Sequence, residues 1–365
     1  VDAIATPDLK TYGSFVSYRI PIVRPGLLLA RVYGSYGDFL ASDASIQNLR
    51  FAGKNWLGGV EFTNRFTLPH DWAVLSALGA NFDHYGIQSR IKTTPLVTGF
   101  SDFLVPFFST TLSRDAVWWS LSGSARYEQT VGSFANLNTT NGIAALGRAG
   151  AASDWKAVKW TLNGSLYLEP LFTGGETNAH YLANQLSIRV RGRILPEHSR
   201  LIPHEQEPIG GALSVRGYDE SLLSADEYVI GSVEYALHFP RLLKPGPAGK
   251  FIRDNWAFKW RPPRTRQEPD WDLIARGFFD YAYRQVTPQK LLPNQAQDVL
   301  GLVDKTVSIA GAGGGLELQV KQNFSIRCDV GLSLTQLRDD TRDPGKQIVT
   351  QPGEVHYYIS SSFSW

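Results

Sequence analysis

The sequence of 365 residues contains no methionine, only one cysteine and no long apolar run. A single cysteine excludes an internal disulfide framework and any metal site built from several cysteines. No segment reaches the roughly 18 apolar residues that a membrane-spanning helix needs. The formal net charge is only +2, so the composition gives no electrostatic reason to expect a nucleic-acid partner.

Recognisable catalytic or metal-binding motifs are also missing. The seven histidines form no His-x3-His pair, and the lone Cys328 excludes a Cys-x2-Cys pair. No Gly-x-Ser-x-Gly turn occurs that would expose a nucleophilic serine. We therefore expect no catalytic residue, no metal and no cofactor, and a protein that is not an enzyme.

What the sequence does contain is a recurring alternation of apolar and polar residues. Charged residues on the polar face do not suit a dry sandwich core. They suit a wet lumen, with the apolar face turned to lipid. One segment shows the pattern with Phe324, Ile326, Cys328, Val330 and Leu332 on one face and Asn323, Ser325, Arg327, Asp329 and Ser333 on the other.

Fifteen segments carry this pattern, and the connections between them mostly alternate between short and long. The predicted strands are 12–22, 27–41, 54–68, 71–87, 102–114, 116–130, 142–153, 156–172, 181–195, 201–211, 226–240, 272–284, 306–320, 323–337 and 354–365. The short connections lie near Pro25, His70, Asp115, Asp154, Pro196 and Gln322. The long connections lie near 42–53, 88–101, 131–141, 173–180, 212–225, 285–305 and 338–353.

Short turns on one rim and long loops on the other are typical of bacterial outer-membrane barrels, which normally have an even number of strands. We therefore predict an all-β fold: one transmembrane antiparallel β-barrel of 16 strands over 1–365, located in the bacterial outer membrane. The missing strand is expected at Val1–Thr6 or upstream of it. The alternative is a large soluble array of β-sandwiches, which does not explain the alternating loop lengths.

One connection, 241–271, departs from this layout because a short turn is expected there. It mixes basic residues with Phe251, Trp256, Phe258 and Trp260. One interpretation is an irregular insertion packed under the barrel or against lipid headgroups, where tryptophan and arginine often lie. The other is a docking element on the periplasmic side for an envelope-complex subunit or a passing polypeptide. Its basic residues are Lys244, Lys250, Arg253, Lys259, Arg261, Arg264 and Arg266.

An ordered series of motifs begins near residue 180. It consists of Gln185-Leu186-Ser187, Leu195-Pro196, Glu205-Gln206, Ile209-Gly210-Gly211, Val215-Arg216-Gly217-Tyr218, Phe278-Phe279-Asp280-Tyr281, the glycines from 311 to 315 and the aromatic-ended terminal strand. This series resembles the signature of two-partner secretion transporters, in the BamA/TpsB superfamily that also contains the Bam-complex barrel insertase. Upstream of residue 180 the resemblance rests on the strand pattern alone.

The resemblance implies that the long loop 212–225 folds back into the lumen. Its tip, Val215, Arg216, Gly217 and Tyr218, is then the lumen-loop gate. In that family the arginine of the tip pairs with an aspartate on the inner wall of the barrel.

The strand pattern gives a partner for this arginine independently of the resemblance. Alternation puts Asp280 and Phe278 on the lumen face of their strand, and Glu234 on that face of its own, as a second candidate partner. An arginine fork can bind such a carboxylate with two parallel hydrogen bonds. One departure from the family motif is Ala282, where a glycine often follows the aspartate.

Two further features of the second half bear on the lumen and on assembly. Gly311, Gly313, Gly314 and Gly315 are predicted to leave a strip of wall without side chains, which allows the loop to approach closely. A bulge or a bend in the strand is the alternative explanation of these glycines. The resemblance also implies that the terminal aromatics, Phe363 and Trp365, are an assembly signal.

Three hypotheses for function follow. The first is polypeptide translocation across the outer membrane, as in two-partner secretion. The second is an insertase that assembles outer-membrane proteins, and the third is a structural or pore subunit of an envelope complex. The expected partners are a secreted or membrane-inserting polypeptide, outer-membrane lipid or lipopolysaccharide, and subunits bound at 241–271. The family places periplasmic domains before the barrel, so we expect this chain to be a barrel fragment or a variant whose substrate is captured by another protein.

Overall fold

A computed structural model describes most of the chain, and it is a β-protein. The described residues are 2–5, 12–23, 27–42, 49–91, 94–131, 146, 148, 150–172, 182–244, 246, 249–250, 257–262, 269–287, 306–321, 323–339 and 347–363. None of the helices within these ranges is long and apolar enough to cross a membrane.

Fourteen strands form one antiparallel sheet, in which each strand pairs with the next sheet strand along the chain. They are β1 (Asp2–Ala5), β2 (Tyr12–Val23), β3 (Leu28–Ser42), β4 (Leu49–Leu68), β5 (Trp72–Ile91), β6 (Thr94–Asp115), β7 (Trp119–Gln129), β8 (Lys156–Tyr167), β9 (Asn184–Ile194), β12 (Glu227–His238), β15 (Trp271–Gln285), β16 (Thr306–Val320), β17 (Phe324–Ser333) and β20 (Val355–Phe363).

The other elements are short and lie in the connections. Three two-stranded sheets pair β10 (Glu207–Ile209) with β11 (Leu223–Ala225), β13 (Gly249–Lys250) with β14 (Ala257–Phe258), and β18 (Leu337–Asp339) with β19 (Gln347–Thr350). The described helices are α1 (Glu169–Phe172) and three 3-10 turns at Pro69–Asp71, Pro203–Glu205 and Phe239–Leu242.

Two of the fifteen predicted strands are wrong. β7 pairs directly with β8, and β9 pairs directly with β12, so no sheet strand corresponds to 142–153 or to 201–211. The predicted turns near Asp154 and Pro196 therefore lie inside two long connections. Apolar residues in these connections, including Leu146, Leu201 and Ile202, are buried against β5 and β6, and this packing produced the strand-like pattern. The described residues give 14 strands, so the predicted number of 16 is not confirmed.

The two rims of the sheet differ in their connections. Four tight connections on one rim join β2 to β3, β4 to β5, β6 to β7 and β16 to β17. We call this the short-turn rim; it also carries the longer connections 168–183 and 239–270. The opposite, long-loop rim carries 130–155, 195–226, 286–305 and 334–354. The predicted loop 173–180 lies outside the described residues.

Burial across the sheet is the reverse of that in a soluble protein. On β15 the charged Asp280 and Arg284 are buried, whereas Phe279 and Tyr281 are exposed. The terminal strand β20 exposes Tyr357 and Ile359 in the same way. We call the face of Asp280 the inner face and the face of Phe279 the outer face. An exposed apolar face opposite a buried charged face is the arrangement of a barrel wall between lipid and a polar interior.

Candidate functional site

The connection between β9 and β12 contains a hairpin that lies on the inner face. Its stem is the β10–β11 ladder, from Glu207 opposite Ala225 to Ile209 opposite Leu223. Gly210 begins the tip with a φ of +118°, a conformation that favours glycine. We call residues 210–222 the tip segment; its Val215, Arg216 and Tyr218 are buried.

Arg216 joins the tip segment to the wall. Its guanidinium binds Asp280 in two places, with Nε 2.7 Å from Oδ2 and Nη2 2.8 Å from Oδ1. The guanidinium carbon also lies 3.4 Å from the centre of the Phe278 ring, a cation–π geometry. Asp280 is only 1% exposed, so this charge-assisted pair is almost fully desolvated.

Further charged groups surround this pair on β12, β15, β16 and β17. Arg216 Nη1 lies 3.1 Å from Glu234 Oε2 and 3.3 Å from Asp329 Oδ2. Arg276 bridges Glu234 and Glu317, and Arg327 bridges Glu234 and Asp329. The site therefore contains three arginines and four carboxylates, and only Arg216 comes from the loop.

The protonation state of Arg216 follows from this environment. Burial alone lowers the pKa of a guanidinium, but the hydrogen bonds and charges of Asp280 and Glu234 outweigh the burial and raise the pKa of Arg216 above its ordinary value. Arg216 is therefore charged throughout the physiological pH range, and its attachment to the wall does not depend on pH through its own titration.

Hydrogen bonds from two tyrosines fix the rest of the tip segment. The Tyr358 hydroxyl on β20 accepts the backbone N–H of Gly217 at 2.9 Å and donates to the carbonyl oxygen of Tyr218 at 2.7 Å. The Tyr218 hydroxyl lies 3.0 Å from the carbonyl oxygen of Ala310 and accepts the backbone N–H of Thr335 at 3.1 Å. The motif series did not single out Tyr358, although alternation with Tyr357 places it on the inner face.

Glycines let the tip segment lie directly on the wall. A Cβ at Gly311 would collide with the carbonyl oxygen of Arg216, and one at Gly331 would lie 2.6 Å from the backbone nitrogen of Gly217. Gly311, Gly313 and Gly315 stand opposite Asp280, Phe278 and Arg276 on the inner face. The predicted strip is wrong at Gly314, because its place in the alternation puts it on the outer face. Gly331 on β17 belongs to the contact surface and was not predicted.

A second set of contacts holds the base of the hairpin at the long-loop rim. Arg148 binds the fully buried carboxylate of Asp226 with two hydrogen bonds of 2.6 and 2.7 Å. Asp226 also accepts the backbone N–H of Thr287 at 2.7 Å. Arg193 donates to the carbonyl oxygens of Ala225 and Asp226 at 2.6 and 2.7 Å. We call these residues the rim anchor; they join three connections to the hairpin stem.

Neutralising Asp226 is expected to loosen the hairpin base. In Asp226→Asn, Arg148 stays buried without its counter-charge, which costs about 3–5 kcal/mol in comparable buried pairs. Amide hydrogen exchange over 195–226 should then rise by at least an order of magnitude. The control is Lys156→Ala, which removes the half-exposed Lys156–Glu197 pair and is worth about 1 kcal/mol or less. Unchanged exchange in Asp226→Asn would contradict the assigned role of the rim anchor.

The described part of the 241–271 insertion is aromatic and basic. Trp260 packs edge-on against Phe258 at 4.6 Å and against Trp271 at 6.3 Å between ring centres. Lys259 and Arg261 are exposed beside them. Phe251, Arg253, Trp256, Arg264 and Arg266 lie outside the described residues. The role of the insertion as a docking element stays a prediction.

The remaining predicted features are quickly placed. Phe363 ends β20 with 69% of its surface exposed on the outer face, and Trp365 lies outside the described residues. Within the described ranges no three His, Cys, Asp or Glu side chains come together in a way that could hold a metal ion.

Comparison with known proteins identifies the fold. No protein-family model and no curated protein matches the sequence. Among solved structures, CdiB from Escherichia coli is similar with a TM-score of 0.61 and 13% identity, over 97% of this chain and 53% of that one. CdiB from Acinetobacter baumannii gives 0.54 and 13%, over 96% and 50% of the two chains. BamA from Haemophilus ducreyi lacking POTRA domains 1–3 gives 0.52 and 13%, over 96% and 62%.

These similarities show the fold. The chain has the β-barrel fold of the BamA/TpsB superfamily, as the motif series predicted, and this fold is that of bacterial outer-membrane proteins. The inner face of the sheet is thus the wall of a lumen, and the outer face is the lipid-facing surface. The chain spans about half the length of the two CdiB structures.

Proposed function

We propose that this barrel conducts an extended polypeptide across the outer membrane and that the tip segment is its gate. The observation that carries the proposal is the buried attachment of Arg216 to Asp280. A loop that serves only to fill the lumen needs apolar contacts, whereas this one is held by a single charged side chain. The sequence resemblance to two-partner secretion transporters and the similarity of the fold support the same function.

The composition of the charged site supports a tip that can leave the wall. When Arg216 withdraws, Arg276 and Arg327 still neutralise Glu234 and Asp329 on the wall. The main loss is then confined to Asp280 and its hydrogen bonds. A wall that retains its own ion pairs resists collapse while the tip is displaced, which is what a reversible gate requires.

The two rims provide sidedness for this proposal. Short turns face the periplasm and long loops face the exterior in bacterial barrels. The 241–271 insertion then lies on the periplasmic side, where a polypeptide or a subunit that delivers it would arrive. Basic and aromatic side chains at this rim also suit contact with lipid headgroups. We infer that no reaction is catalysed in the lumen and that no cofactor is used.

A second candidate function is the insertion of outer-membrane proteins through a sideways opening. What favours it is β1, which contributes only four residue pairs to its ladder with β2. Ladder strength depends on the number of hydrogen bonds, so a short ladder opens easily. Cross-linking of nascent barrels to 354–363 rather than to lumen residues would favour this function over translocation. A stable complex that is lost on trimming 241–271 would instead favour a structural subunit.

Deleting the tip segment tests the gate. Barrels that lack residues 212–222 should still assemble, because β10, β11 and the rim anchor remain, and their conductance in planar bilayers should rise several-fold. A matched control shortens the connection after β15 within 288–300. In the native membrane, the deletion should also change which polypeptides are exported, as measured by mass spectrometry of the medium. A deletion barrel with the conductance of the intact protein would refute the gate.

A further inference from the structure

A cavity of about 480 Å³ lies between the tip segment and a part of the wall that the segment does not contact through Arg216. Ala212, Leu213 and Ser214 line it from the loop, and β7, β8 and β9 line it from the wall. Leu213 is 86% exposed, so the loop presents an apolar side chain to a water-filled space. The lumen is therefore asymmetric: the loop lies on β12–β20, and the open space lies over β7–β9.

The wall of this cavity is a grid of polar side chains in three adjacent strands. Ser120, Ser165 and Ser187 form one row; Ser122, Asn163 and Arg189 form the second; Ser124, Thr161 and Arg191 form the third. The rows are fixed by cross-strand hydrogen bonds: the Ser120 and Ser165 hydroxyls lie 2.8 Å apart, and those of Ser124 and Thr161 lie 2.6 Å apart. We call these nine side chains the polar grid.

We propose that the polar grid is a binding surface for an extended polypeptide, which passes between the grid and Leu213. This inference rests on the proposed translocation function and specifies its path. Each hydroxyl can donate and accept one more hydrogen bond, as the N–H and C=O groups of an extended main chain require. Short side chains also leave no pocket that would select one residue type. The surface therefore suits a main chain of any sequence.

Arg189 gives the polar grid a preference for charge. It is exposed to the cavity, and within the described residues it has no ion-pair or hydrogen-bond partner. Arg191, in contrast, lies 3.0 Å from Glu207 at the base of the hairpin. An uncompensated guanidinium in a narrow, low-dielectric channel attracts carboxylates and repels lysine and arginine. Acidic segments of a passing chain should therefore stay longest at the grid.

Current interruptions in planar bilayers measure this binding directly. The probe is an unfolded peptide rich in glycine, serine and asparagine, made in acidic, neutral and basic versions and added on the short-turn side of the full chain. Replacing polar groups of the grid in Ser122→Val/Asn163→Leu should shorten each interruption by the neutral peptide roughly tenfold, because about two hydrogen bonds are lost. Arg189→Gln should abolish the difference between acidic and basic peptides and leave the neutral one unchanged.

A control variant removes hydroxyls elsewhere on the inner face. The Ser325 and Ser362 hydroxyls lie 2.8 Å apart on β17 and β20, outside the cavity lining, and Ser325→Val/Ser362→Val should leave the interruptions unchanged. If this control shortens them and the grid variant does not, the path is wrong and translocation stands. If no peptide interrupts the current through the intact or the loop-deleted barrel, translocation itself fails. Should the grid variant not fold, protection of Ser122→Cys from a soluble thiol reagent by the neutral peptide, in a Cys328→Ala background, tests the same contact.

Discussion

Arg216→Ala is expected to detach the tip segment from the wall in a barrel that still assembles. The substitution leaves Asp280 buried without its counter-charge, and removing one member of a buried ion pair costs about 3–5 kcal/mol. The population with the tip on the wall should therefore fall by a factor of at least about a hundred. Assembly should survive because Arg216 lies outside all fourteen ladders of the main sheet.

Two measurements follow the detached tip. Conductance in planar bilayers should rise towards that of the loop-deleted barrel, and added protease should cleave within 210–222 in intact cells. Arg216→Lys should be intermediate, because an ammonium group keeps the charge but cannot form the two-point bond to Asp280. The matched control is Arg191→Ala, which removes the half-exposed pair with Glu207 on the same hairpin and should change little. If Arg216→Ala and Asp280→Ala both behave like the intact protein, the Arg216 attachment does not hold the gate.

The features that the sequence predicts best are those set by local periodicity. Alternation on β15 places Asp280 on the inner face because adjacent side chains of a strand point to opposite faces. The same rule holds on β12 for Glu234. Its one failure in the glycine strip, Gly314, comes from reading four glycines as a unit when alternate positions face opposite sides.

The features that the sequence does not predict depend on contacts between distant segments. Arg148 and Asp226 are 78 positions apart and lie in connections whose apolar residues mimic strands. An apolar residue buried under the rim and one facing lipid look alike in a single sequence. Tyr358 and Gly331 belong to the site only because β17 and β20 lie beside the tip segment, and nothing in their own strands indicates that contact.

Gly311→Val is expected to displace the tip segment without altering any charge. A side chain at this position collides with the backbone carbonyl of Arg216, which cannot move while Tyr358 and Asp280 hold both neighbours of that carbonyl. Forcing extra atoms into a packed contact costs about 1–3 kcal/mol or more. The barrel should assemble, since valine is favourable in a strand, and conductance and protease cleavage should both rise.

The controls are glycines of the same sheet whose added Cβ meets no atom within 4 Å, Gly231 and Gly277. Gly231→Val and Gly277→Val should leave conductance unchanged. Combining Gly311→Val with Arg216→Ala separates the steric contribution from the charged one. If both changes detach the same tip, the double variant should have the conductance of the more open single variant rather than the sum of the two increases. An additive result would mean that the glycine wall and the Arg216–Asp280 pair act on different states of the lumen, and the single-gate mechanism would have to be abandoned.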